Sequence, residues 1–81
     1  MIVSINYKNR QDGGYDSRKY SYMCGLTDIR VGDKVIAPTY KGDREAIIVE
    51  TDVPLSCIDQ DIIPKLRTIT KRVKEDDTDG K

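Results

Sequence analysis

Two short runs rich in β-branched residues, Val35-Ile36-Ala37 and Ala46-Ile47-Ile48-Val49, lie on either side of a polar stretch that contains Lys41-Gly42-Asp43. Branching at Cβ suits a pleated, half-buried surface, and glycine beside aspartate suits a tight reversal, so the spacing predicts a β-hairpin with its turn at Lys41-Gly42-Asp43. Gly32-Asp33 just upstream predicts the turn that feeds the first of these strands, because glycine accepts positive φ and aspartate bonds nearby backbone. Every other part of the chain must cover this hairpin.

The chain has 81 residues, five tyrosines, no phenylalanine and no tryptophan. A domain of this size buries only roughly 60% of its unfolded surface. All aromatic packing therefore falls to Tyr7, Tyr15, Tyr20, Tyr22 and Tyr40, whose hydroxyls seek water or a partner and so belong at the edge of the core. Alternation with period two predicts a first strand over residues 2–7, with Val3, Ile5 and Tyr7 on one face and Ser4 and Asn6 on the other. A second, antiparallel strand is predicted over 15–23, with Tyr20 and Tyr22 opposite Lys19 and Ser21. The polar loop Lys8–Gly14 joins them.

The hairpin supplies strands at 34–38 and 45–51, and the β-branched, basic stretch 66–73 supplies a fifth. Between them, Ser56 to Ile63 reads as one helical turn with Ser56 as N-cap, ended by Pro64. Five short strands and one helical turn predict an all-β barrel, which closes on itself to remove exposed edges. The domain is expected over 1–74. Residues 75–81 have no apolar side chain and are expected to form a disordered acidic tail.

Composition narrows the function classes. Without histidine, the chain has neither a Ser-His nor a Cys-His pair for activating a nucleophile, and an enzyme is not expected. Asp59 and Asp61 have two readings, an acid-base pair or two carboxylates facing water in a polar connection. Two cysteines far apart, Cys24 and Cys57, are too few for structural zinc, so no metal or cofactor is expected and both thiols should be free. No apolar run is long enough to span a bilayer, and a cytoplasmic protein without a membrane partner is expected. Net charge is zero, but the tail carries four of the fourteen acidic and one of the fourteen basic side chains, which leaves a body of +3. Such a body is compatible with a nucleic-acid partner.

One constellation remains: Arg18, Lys19, Lys41, Arg44, Arg67, Lys71 and Arg72 interleaved with Tyr15, Tyr20, Tyr22 and Tyr40. Small barrels bind single strands by stacking bases on aromatic rings while cations hold phosphates. The same residues also fit a second description, core-edge tyrosines within a solubilising basic face.

The order Tyr20-Ser21-Tyr22, Val31-Gly32-Asp33-Lys34-Val35-Ile36-Ala37-Pro38, Gly42, Ala46-Ile47-Ile48-Val49-Glu50 and Leu66-Arg67-Thr68-Ile69 resembles the N-terminal DNA-binding domain of the primosomal restart helicase PriA. The similarity runs from about Ile2 to Val73. It implies a small OB/SH3-like barrel that captures the 3′ end of a DNA strand. It also implies Tyr20 as the pocket aromatic, Gly42 as the hairpin glycine and Arg67 as the pocket cation. Ser21 stands where that family has an acidic residue bonding the terminal sugar hydroxyl, and serine retains one hydrogen bond to a sugar or phosphate. Nothing resembling helicase motor domains follows, so the resemblance implies an accessory replication or mobile-element protein that does not unwind DNA.

The expectation is a non-enzymatic barrel for single-stranded DNA or a DNA 3′ end, with Tyr20, Ser21, Tyr22, Tyr40, Lys41, Gly42, Arg44, Arg67 and Lys71 at the interface. The alternative is a protein-interaction module in which an SH3-like groove or a free strand edge takes a peptide from a protein partner.

Overall fold

The computed structural model describes residues 1–9, 11 and 13–73. Its strands are β1 (Ile2–Tyr7), β2 (Tyr20–Cys24), β3 (Lys34–Thr39), β4 (Gly42–Glu50), β5 (Thr68–Ile69) and β6 (Lys71–Arg72). They form one six-stranded sheet in the order β5-β2-β1-β4-β3-β6. Because β5 and β6 are separated only by Thr70, the two ends of this sheet belong to one continuous piece of chain. That piece pairs parallel with β2 through Met23–Thr68 and Cys24–Ile69, then antiparallel with β3 through Val35–Arg72 and Ile36–Lys71. The sheet is thereby curled into a nearly closed, barrel-like form.

The expected final strand over 66–73 is thus two short strands. One continuous strand would pair along a single neighbour, and the step at Thr70 hands the backbone from β2 to β3. The second strand is also shorter than expected: residues 15–19 leave the ladder, apart from an isolated bridge between Tyr15 and Lys8. Curling is assisted by a bulge, since Ser4 pairs with Glu50 while Ile5 pairs with Ile48, leaving Val49 as the extra residue on β4.

The hairpin forms as the branched residues suggest, but its loop is Tyr40-Lys41 rather than Lys41-Gly42-Asp43, with Thr39 opposite Gly42. Gly42 opens β4 at φ +115°, where a side chain is strained. The Thr39 hydroxyl donates to the Gly42 carbonyl and accepts from the Lys41 N–H at 3.2 Å, fixing the loop. Gly32 likewise has φ +97°, and the Asp33 carboxylate accepts the Arg30 N–H at 2.9 Å. The single helical turn expected over 56–63 is replaced by two 3-10 turns, Leu55–Cys57 and Ile63–Lys65. Pro54, not Ser56, holds the first cap position, without a side-chain cap bond. Pro64 lies inside the second turn instead of ending the first, since a proline early in a helical turn surrenders no internal hydrogen bond.

Val3, Ile5, Val35, Ile48 and Ile69 are fully buried and fill the barrel. Ser4, expected on the outer face, is buried as well. Its hydroxyl and the Lys19 ammonium, 3.4 Å from Glu50, hold the Glu50 carboxyl below its ordinary pKa. Cys24 is buried and Cys57 exposed, both as free thiols. Among the described residues no helix is long and apolar enough to cross a membrane. The tail expected to be disordered, 75–81, lies outside the described residues.

Candidate nucleic-acid interface

The tyrosines gather where β1 and β2 emerge from the aliphatic core. Alternation along β2 turns Tyr20 and Tyr22 to the same side, and Tyr7 closes the series begun by Val3 and Ile5 on the neighbouring strand. The Tyr7 and Tyr20 rings are 4.7 Å apart at 46°, and Tyr7 meets Tyr22 edge-on at 6.4 Å. Two cations extend this cluster. The Arg44 guanidinium lies over Tyr7 at 4.5 Å and that of Arg18 over Tyr20 at 5.2 Å. Arg44 is further anchored by donating to the Lys8 carbonyl at 3.1 Å.

Tyr22 is the floor of the cluster. Its hydroxyl donates to the Pro38 carbonyl at 2.9 Å. That carbonyl can only accept, so the single Tyr22 proton is used there and Tyr7 must donate to the Tyr22 oxygen in the Tyr7–Tyr22 contact. Burial, followed by the Tyr7 bond, pushes the Tyr22 phenol above its ordinary pKa, against the opposing fields of Arg67 and Arg44.

A cavity of about 320 Å³ opens over this floor. Tyr7, Tyr20, Tyr22 and Tyr40 line it together with Lys41, Arg44 and Arg67, and no carboxylate is among its lining residues. Tyr40, 81% exposed at the tip of the β3–β4 loop, carries Lys41 5.7 Å from its ring centre. Among the described residues Lys41, Arg44 and Arg67 form no ion pair, whereas Lys8 is bound to Glu45, Lys19 to Glu50 and Arg72 to Asp33.

Six of the nine residues expected at the interface therefore meet in one cavity: Tyr20, Tyr22, Tyr40, Lys41, Arg44 and Arg67. Ser21 lines an adjoining cavity. Gly42 is not among the lining residues and its positive φ shapes the loop that carries Tyr40 and Lys41. Lys71 is held elsewhere, in a separate depression with Asp43, because β6 pairs with β3 on the opposite side of the closure. Arg72, on the same strand, donates to the Thr27 carbonyl and pairs with Asp33. Tyr15 also departs from the group, its hydroxyl directed to Glu45 at 3.5 Å. Asp59 and Asp61 are both exposed on the connection between the two 3-10 turns.

Tyr7, expected at the edge of the core but not at the interface, is also a wall of the cavity, a role consistent with its position at the end of the first apolar series, next to a polar loop. Thr39 is the other wall residue outside the expected set. Compared with protein-family models, curated proteins and solved structures, the chain matches none.

Proposed function

We propose that this chain is a small OB- or SH3-like barrel that binds single-stranded nucleic acid without catalysing a reaction, in the manner of an accessory protein of replication or of a mobile element. The observation that supports this reading is the lining of the cavity over Tyr22: four phenol rings and three cations that form no ion pair among the described residues, with no carboxylate among the lining residues. A phosphodiester strand supplies what this surface lacks, since its phosphates match Lys41, Arg44 and Arg67 and its bases match ring faces.

Magnitudes favour exchange at Tyr20. The Arg18 cation over its ring contributes about 0.5–1 kcal/mol at an exposed site, less than the roughly 1–3 kcal/mol of a base stacked in its place. A base arriving on Tyr20 therefore releases Arg18 toward a phosphate. Tyr40, already exposed, offers a second ring without displacement.

The test is a fluorescence-anisotropy titration of a labelled oligothymidylate at two salt concentrations, with wild type and Arg67→Ala. Affinity should fall steeply with salt, and Arg67→Ala should flatten the logarithmic slope by about one phosphate contact. Absence of binding at low salt by the folded protein rejects the reading and leaves a peptide as the ligand to try.

A further inference from the structure

A second cavity, of about 410 Å³, adjoins the first between β2 and the segment that carries the two 3-10 turns. The two share Tyr7, Tyr20, Tyr22 and Arg67 as common walls, so together they form one groove passing over the tyrosine cluster. The second cavity adds Arg18 and Lys65, neither in an ion pair among the described residues. Lys19 is also present but is already tied to Glu50 at 3.4 Å. Ile58, Ile62 and Leu66 supply an apolar lining, and Ile62 is 47% exposed.

We infer that the strand runs through this groove instead of ending in it, so that the ligand is an internal stretch of single strand held by cations on both sides of Tyr20. The inference rests on the reading of the first cavity as a nucleic-acid interface and adds its extent. Lys41 and Arg44 hold phosphates on one side, Arg18 and Lys65 on the other, and Arg67 stands at the crossing. A strand occupying both halves spans about four nucleotides or more, the lower range for barrels of this kind. The competing geometry ends the strand in the second cavity, with its terminal hydroxyl on Asp59, the carboxylate in that lining.

Two measurements on the unmodified protein separate these geometries. In the first, a circular oligothymidylate of about thirty residues competes against a linear one of about ten for the labelled probe. A strand that runs through predicts that the circle, which has no ends, competes within about twofold per nucleotide of the linear strand; a loss of tenfold or more overturns the inference while the binding function stands. The second uses Cys57, which is exposed in the wall of the second cavity, while Cys24 is buried. Saturating the protein with the linear strand should slow alkylation of Cys57 by N-ethylmaleimide severalfold. An unchanged rate with the strand demonstrably bound confines it to the first cavity and overturns the inference. Failure of both strands to bind removes the function and the inference together.

Discussion

The aliphatic interior and the tyrosine rim are continuous in space and opposite in chemistry. Inside, Val3, Ile5, Val35, Ile48 and Ile69 have no exposed surface and no polar side-chain atoms, so their contribution is burial alone. At the rim, Tyr7 and Tyr22 are nearly as buried, at 8% and 6%, yet each carries a hydroxyl that has to be satisfied, and the Arg44 guanidinium lies over the Tyr7 ring. The contrast separates two uses of burial. Removing a core side chain should cost the fold, whereas under the proposed function removing a ring from the outer rim should cost binding.

The largest effect expected is on the interior. Ile5→Ala should lower unfolding free energy by about 2–5 kcal/mol, a large share of the margin of so small a domain, and urea denaturation with circular-dichroism detection reads it directly. A loss below 1 kcal/mol would show that the interior repacks freely and would erase the contrast.

At the rim, Tyr20→Ala should weaken binding of a single-stranded oligonucleotide by about 1–3 kcal/mol while leaving the salt slope as in wild type, because stacking releases no counterions. Unchanged affinity would reassign Tyr20 to packing. Tyr22 stands between the two regions. Tyr22→Phe removes the hydroxyl that joins Tyr7 to the Pro38 carbonyl and should cost about 1–2 kcal/mol of stability, read from the denaturation midpoint.

The same residue gives a pH dependence of definite sign. Its folded phenol is raised above the ordinary value of 10.0, so the folded state retains the proton that the unfolded chain gives up. The stabilisation is complete below pH 10 and is lost as pH rises above it, toward the raised folded value. Tyr22→Phe should show a shallower alkaline loss than wild type. Equal slopes would mean that the Tyr22 hydroxyl is not linked to folding.

The smallest effect concerns Asn6, half-buried on β1 opposite Ile47, whose side-chain oxygen is buried without a hydrogen-bond partner among the described residues. Asn6→Val removes that unmet acceptor and suits the strand, and should stabilise by about 0.5–1 kcal/mol in the same denaturation assay. A destabilised variant would show that the oxygen is satisfied by water.

Much of the sheet was legible in local patterns. The β-branched runs marked β3 and β4, alternation marked β1 and put Tyr20 and Tyr22 on one face of β2, and Gly32-Asp33 marked the turn before β3. Residues grouped by composition fared unevenly. Lys41, Arg44 and Arg67 converge with the tyrosines, but Lys71 and Arg72, as basic as the others, are carried to a different side of the barrel by their pairing with β3.

The sequence by itself determined the hairpin, the inward faces of the first strands and a supply of cations and phenols with few other chemistries at hand. Those properties follow from near neighbours: period-two alternation, branching at Cβ and the φ freedom of glycine. Only the tertiary structure decided that the last strand divides at Thr70 to join β2 and β3, that Ser4 is covered, and that Tyr7 serves both the core and the cavity wall. Parallel pairing of Cys24 with Ile69 spans most of the chain and depends on how the whole sheet twists and curls, which no local run of residues encodes. The same closure gathers Arg67 to the tyrosines and carries Lys71 away from them.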